Sequence, residues 1–292
     1  MSDRPESKTE ARVWVVESGG ARLRPDQVAT EEPLEIRLHA AGIAEGAGPL
    51  PFRRRSEGAC RRTVAITMRT PGADFELAAG FLYGEGIIRS GDDIRGISHC
   101  EEPDLDEDKR YNIVNVDLHG HVLPDLQALE RHFYTTSACG VCGKASLESL
   151  RIRGCPAIPP GPEVDADVIR RLPEALRSGQ GVFAATGGLH AAALFDPNGE
   201  RLAVREDVGR HNALDKLVGW ALLEGRLPLD RHIVMVSGRS SFEILQKSLM
   251  ARVPIVCAVS APSSLAVSLA REFGITLIGF LRGDRFLSLI HI

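Results

Sequence analysis

The sequence is short of lysine, of charge of one sign and of long apolar runs. Its 292 residues carry 35 basic and 39 acidic side chains, a formal net charge of −4. Five of the basic residues are lysines (8, 109, 144, 216 and 247), and the other thirty are arginines. A near-neutral balance excludes a general nucleic-acid coat and a polybasic membrane anchor. It leaves room for a local arginine-lined pocket, because the planar guanidinium grips phosphate through paired hydrogen bonds. No apolar run reaches the ~20 residues of a membrane span. The opening MSDRPESKTEAR is polar and has no apolar core of a secretory signal. The expected location is therefore cytoplasmic, a reducing compartment where structural disulfides are uncommon. Neither nucleic acid nor membrane is an expected partner.

Apolar residues make up 43% and charged residues 25% of the chain, enough for a packed core. The length suits one or two domains. Residues 1–30 read as a flexible N-terminal tail and residues 31–135 as a small α+β domain. Residues 136–160 read as a cysteine loop and linker, and residues 161–292 as an α/β domain. In the first half, residues 62–70 and 111–118 alternate as strands. Residues 74–83 have helical spacing, with Asp74 as a candidate cap. From residue 163 onward apolar strands alternate with helices. The spacing predicts helices over 164–176, 207–223, 242–251 and 264–273, the second with Asp207 as its N-cap. It predicts strands over 182–186, 191–195, 202–205, 232–236, 254–259 and 275–280. This pattern implies a layered βαβ domain with a largely parallel sheet. Ligands of such sheets sit beyond the carboxyl ends of the strands. Three segments fall there: 237–240, 260–264 and 281–285. Each offers small residues that free backbone donors, or arginine, or both.

Of six cysteines, only Cys139 and Cys142 are closely spaced. Glycines flank the pair, Lys144 follows, and a helix is expected to start there. A helix N-terminus and a lysine both lower a thiol's pKa, and the thiolate is the form that attacks sulfur or binds metal. A structural zinc site needs four ligands, and no second Cys-x-x-Cys exists to supply them. A thioredoxin-like dithiol belongs near the start of its βαβ domain, and this pair does not sit there. A sulfur carrier needs one exposed thiol and a second to assist release, which this loop provides. Spacing alone leaves these readings open. A second dense stretch runs from Arg205 to Lys216. In it His211 and Asp215 lie one helical turn apart, a spacing that suits general acid–base work and equally suits a helix start held by ion pairs.

Three separated motifs, in this order, resemble the FdhD/NarQ family of formate dehydrogenase accessory sulfurtransferases. They are Thr136-Ser137-Ala138-Cys139-Gly140-Val141-Cys142-Gly143, then Arg205-Glu206-Asp207-Val208-Gly209-Arg210-His211-Asn212-Ala213, then Ser237-Gly238-Arg239-Ser240-Ser241-Phe242-Glu243. Phe75-Glu76-Leu77-Ala78 and Gly80-Phe81-Leu82 add to the likeness. The resemblance implies that sulfur arrives from a cysteine desulfurase as a persulfide on Cys139, with Cys142 assisting. It passes to the molybdenum bis(guanine dinucleotide) cofactor, bound as substrate, for which GDP or GMP is an analogue. Formate dehydrogenase is the implied client. The implied cofactor segment is Phe280-Leu281-Arg282-Gly283-Asp284-Arg285, after the last expected strand. Arg282 and Arg285 suit phosphate; Phe280 suits a guanine face and Asp284 a guanine edge. Arg210, His211, Ser237 and Arg239 are secondary candidates. The resemblance further implies a cytidine-deaminase-like C-terminal half and a homodimer. Deamination itself is disfavoured, because Ala138 stands where the zinc motif has proline before its Cys-x-x-Cys; no metal ligands are assigned. The alternative from another class is a non-catalytic chaperone that binds the same cofactor. A zinc hydrolase is a third reading.

Overall fold

The computed structural model describes residues 5–41, 59–102, 107–119 and 155–290. Cys139 and Cys142, with the whole loop that carries them, lie outside the described residues. Three sheets organise what is described, and the architecture is mixed α/β.

Strands β1 (Lys8–Glu17) and β2 (Gly20–Ala29) pair as an antiparallel hairpin, where a tail was expected. The signal was local. Ser18 and Gly19 form a two-residue loop between Glu17 and its partner Gly20, and the stretch before it is rich in valine. Trp14 and Val16 face outward on the hairpin, both strongly exposed.

The second sheet has the order β4-β3-β6-β5, from β3 (Glu32–Ala41), β4 (Ala59–Arg69), β5 (Ile94–His99) and β6 (Ile113–Leu118). Helix α1 (Asp74–Gly84) covers one face. Leu34, Ile36, Leu38, Val64, Val114 and Val116 pack there against Leu77 and Leu82. Asp74 does not cap this helix. Ala73 holds the cap position in a left-handed conformation, with φ 56°. Asp74 turns back to the buried Arg69, which donates to its two carboxylate oxygens at 3.0 and 3.1 Å. A charge-assisted pair that neutralises a buried guanidinium outweighs one cap bond.

The third sheet has the order β12-β11-β10-β9-β7-β8. Its strands are β7 (His190–Phe195), β8 (Arg201–Asp207), β9 (Ile233–Val236), β10 (Ile255–Ala258), β11 (Thr276–Arg282) and β12 (Arg285–Ile290). Only β9, β10 and β11 run parallel; β7, β8 and β12 are antiparallel to their neighbours. The sheet is therefore mixed, not largely parallel. Short turns after β7 and β11 return the chain directly, with no crossover helix. Helix α2 (Ala166–Arg177) packs on one face, against Ala191, Ala193 and Phe195. Helices α4 (Arg210–Leu223), α5 (Phe242–Met250) and α6 (Ser264–Phe273) pack on the other, against Ala192 and Leu194. The period-two alternation of one strand thus feeds two separate cores.

Residues 182–186, expected as a strand, belong to the short helix α3 (Gly181–Thr186). The Glu206 carboxylate accepts from the backbone N–H groups of Val182 and Phe183 at 3.0 and 2.7 Å. It satisfies donors that a helix start would leave open, which local apolar pattern could not reveal. The two larger units meet where α1 crosses α4. A Cβ added to Gly80 would sit 1.8 Å from the Asp215 carbonyl oxygen, and one added to Gly219 would sit 1.8 Å from that of Glu76. The crossing is backbone against backbone.

Candidate functional site

The parallel strands end side by side, and a cleft of about 760 Å³ opens at that edge. This size falls within the range of small-molecule sites. Ser237 follows β9, Val259 follows β10, and Leu281 and Arg282 close β11; all four line the cleft. His190 joins them because β7 runs antiparallel to β9, which brings its first residue to the same edge. Arg177 from α2 lines the opposite wall. The three loops are tied together. Ser263 donates to the Ser240 carbonyl at 2.9 Å, and Phe280 donates to the Ser260 carbonyl at 3.1 Å.

Of the six residues 280–285, Leu281 and Arg282 reach the cleft. Leu281 is fully buried, and Arg282 is held over the sheet edge by its Nε bond to the Val259 carbonyl at 3.2 Å. The segment does not follow the last strand. It spans the end of β11, a turn at Gly283-Asp284 and the first residue of β12. Phe280 adopts a left-handed φ of 54° where β11 bulges, and its ring is exposed. Such a conformation in a bulky residue is held by its surroundings. Asp284 and Arg285 are exposed on the turn, where the Asp284 carbonyl accepts from Arg170 at 3.2 Å.

The 205–216 stretch divides into two sets. One set is structural and joins the two sheet units. Asp207 is not the N-cap of α4; Gly209 is. The fully buried Asp207 instead pairs with Lys216 at 2.8 Å and accepts from Thr70, Gly209 and Asn212. Lys216 donates to the Thr70 carbonyl at 2.8 Å, Asn212 to the Met68 carbonyl at 2.8 Å, and Arg205 to Glu76 at 2.8 Å. Each of these bonds ties the second unit to the first. The other set, Arg210 and His211, opens α4, and both act electrostatically, with Arg239, on His190 of the cleft. His211 does not pair with Asp215. Its Nε2 meets Glu243 at 2.8 Å and Ser241 Oγ at 3.1 Å. Asp215 is buried against Lys247 at 2.8 Å, and burial, only partly offset by Lys247, pushes its carboxyl up to about 6. An acid–base pair of His211 with Asp215 is therefore replaced by two contacts made with α5, His211 to Glu243 and Asp215 to Lys247.

The sequence reading passed over His190 and Arg177. A parallel sheet would have sent a strand's first residue to the far edge, so His190 carried no signal. His190 and Arg210 both lie against Gly238: a Cβ there would meet His190 Nδ1 at 3.4 Å and Arg210 Cδ at 3.7 Å, ordinary contact distances. The cleft is thus a largely apolar slot with Arg177, Arg282 and His190 in its lining. That arrangement suits an elongated ligand carrying phosphate and aromatic groups.

Comparison with known proteins agrees with the motifs. A chain from Streptomyces avermitilis called "Sulfur carrier protein FdhD" is 50% identical over 275 residues, covering 93% of this chain and 90% of its own length. One of the same name from Mycolicibacterium paratuberculosis is 50% identical over 276 residues, covering 94% and 93%. An archaeal chain of that name, from Sulfurisphaera tokodaii, is 43% identical over 275 residues and 94% of both chains. A solved chain from Desulfotalea psychrophila, described as a candidate formate dehydrogenase accessory protein, matches the fold with a TM-score of 0.66 at 24% identity, over 97% of each chain. The family model described as FdhD/NarQ matches residues 59–291, so this chain belongs to the FdhD/NarQ family.

Proposed function

We propose that this protein is a sulfurtransferase that takes sulfur from a cysteine desulfurase and delivers it to the molybdenum bis(guanine dinucleotide) cofactor for formate dehydrogenase. The observation that carries the reading is half-identity, over more than nine-tenths of the chain, to proteins called sulfur carriers. The Cys139 thiolate attacks the terminal sulfur of the donor's persulfide. A new S–S bond forms on Cys139, and the donor cysteine leaves as a thiolate. The Cys142 thiolate then attacks the inner sulfur of that persulfide, so that a Cys139–Cys142 disulfide forms and the terminal sulfur leaves at the sulfide level to molybdenum; a thiol reductant afterwards restores the pair. The cofactor is substrate here, not a resident group. Its pyrophosphates suit the cations at the rim, with Arg282 on the slot and Arg285 on the turn, and the exposed Phe280 ring suits a guanine face.

Three further points belong to this proposal. The three-layer C-terminal half is read as a cytidine-deaminase-type fold adapted to sulfur handling. The protein works in the cytoplasm, and it acts as a homodimer. Among the described residues no helix is long and apolar enough to cross a membrane.

The experiment is maturation of formate dehydrogenase in a strain lacking the natural gene, complemented with Cys139→Ala or Arg285→Ala. Loss of activity with both variants is expected. A mass gain of about 32 Da after incubation with desulfurase and cysteine, absent in Cys139→Ala, identifies the persulfide. Full maturation by Cys139→Ala, with loss only in Arg285→Ala, favours a cofactor chaperone instead.

A further inference from the structure

We propose that His190 is a proton-coupled anion contact of the cleft, taking up a proton from solvent when the phosphates of a guanine nucleotide enter and releasing it when they leave. The inference deepens the proposed function and rests on its reading of the cleft as a nucleotide site.

Position comes first. His190 lines the cleft together with Ser237, Val259, Leu281 and Arg282. Its ring is half-buried, and no hydrogen bond ties it to another described residue. It is neither a packed core histidine nor a capped one. The groups around it are mostly cationic. Arg210 and His211 face it from α4, and Arg239 faces it from the loop after β9. Arg282 stands on the β11 side of the slot, and Glu174 and Arg177 line it from α2. Asp207, at the end of β8, pulls the other way, but Lys216 already neutralises it at 2.8 Å. Arg210 Nε is buried without a hydrogen-bond partner, so one of these cations has unused donor capacity.

The consequence is electrostatic. Burial and the neighbouring cations hold the imidazole below its ordinary value of 6.5, so the empty cleft keeps it neutral. Phosphate oxygens among the same groups reverse the local potential. The protonated ring then gains both an opposite charge and an acceptor for its N–H. Protonation and anion binding are thereby reciprocal. Whatever raises the ring's proton affinity by one pH unit makes the protonated site bind the anion tenfold better than the neutral one.

The test uses the full chain, its His190→Gln and His190→Asn variants, and GDP as the probe. Imidazole resonances are titrated by NMR with and without saturating GDP, the His190 signal being the one missing from the variants. Its midpoint is expected to rise by about one pH unit or more with GDP. The ratio of GDP affinities, natural chain over variant, cancels the titration of GDP itself. That ratio is expected to grow about tenfold from pH 8 to pH 5.5. An unmoved midpoint, or a flat ratio while GDP still binds, overturns the role of His190 and leaves the nucleotide site standing. No GDP binding at either pH overturns both.

Discussion

Asp215 illustrates how a residue's chemistry depends on a partner that local sequence does not name. Its spacing from His211 suggested an acid–base pair, whereas Lys247, on a different helix, is the partner it has. Glu85 adds a second carboxylate 3.9 Å from the same ammonium. Burial raises the Asp215 carboxyl from 3.8 to about 6, against the pull of Lys247. A carboxyl that holds its proton more tightly when folded binds more protons in the native than in the unfolded state over that interval. Its contribution to stability is therefore fully present below the unfolded value, falls as pH rises to about 6, and is level above. The melting-temperature difference between the natural chain and Asp215→Asn should shrink from about pH 4 to 6 and then stay constant. A difference that widens over that range contradicts the assignment. Cys257 shows the opposite extreme: it is fully buried in the sheet, and burial alone drives its thiol far above the usual range. It is a packing residue, and nothing in the sequence distinguished it from a reactive cysteine except its place in an apolar run.

At the scale of elements, most helices and strands of the C-terminal half were legible, because apolar periodicity there is strong. Ser263 caps α6 by accepting from Ala266, as a serine before an apolar helix should. Two elements of that half missing from the sequence pattern share a cause. The short helix α3 depends on Glu206, twenty-four residues away from the Val182 amide it caps. Strand β12 depends on pairing with β11. The close crossing of α1 over α4 rests on Gly80 and Gly219. Gly80→Ala or Gly219→Ala should each destabilise the protein by ~1–3 kcal/mol or more, because the methyl would have to displace backbone. Chemical denaturation measures this. Ala in place of the exposed Gly19, whose Cβ would meet nothing within 4 Å, should cost far less. Equal losses at the two kinds of site would show that the crossing tolerates separation.

The two larger sheet units are joined by a buried polar clamp. Lys216, Asp207, Thr70 and Asn212 form most of it, and all four are at most 9% exposed. Lys216→Met keeps the bulk but leaves Asp207 as an uncompensated buried charge, a loss of about 3–5 kcal/mol. Unfolding followed by Trp220 fluorescence for the second unit and by amide exchange along β3 for the first should then lose coincidence, whereas one shared transition would place the coupling elsewhere. The same clamp explains why the 205–216 stretch was ambiguous when read alone: half of it faces the other unit and half faces the cleft. By itself the sequence determined the layered α/β character, the family and the strand ends at Ser237 and Leu281-Arg282 that line the cleft. Those follow from periodicity, motif order and residue chemistry, all of which are local or ordered along the chain. Only the tertiary structure decided strand direction, which brings His190 to the cleft, and the partners of His211, Asp207 and Asp215. Those depend on which distant backbone or side chain arrives within about 3 Å, the range over which hydrogen bonds and ion pairs act, and no local pattern encodes that meeting.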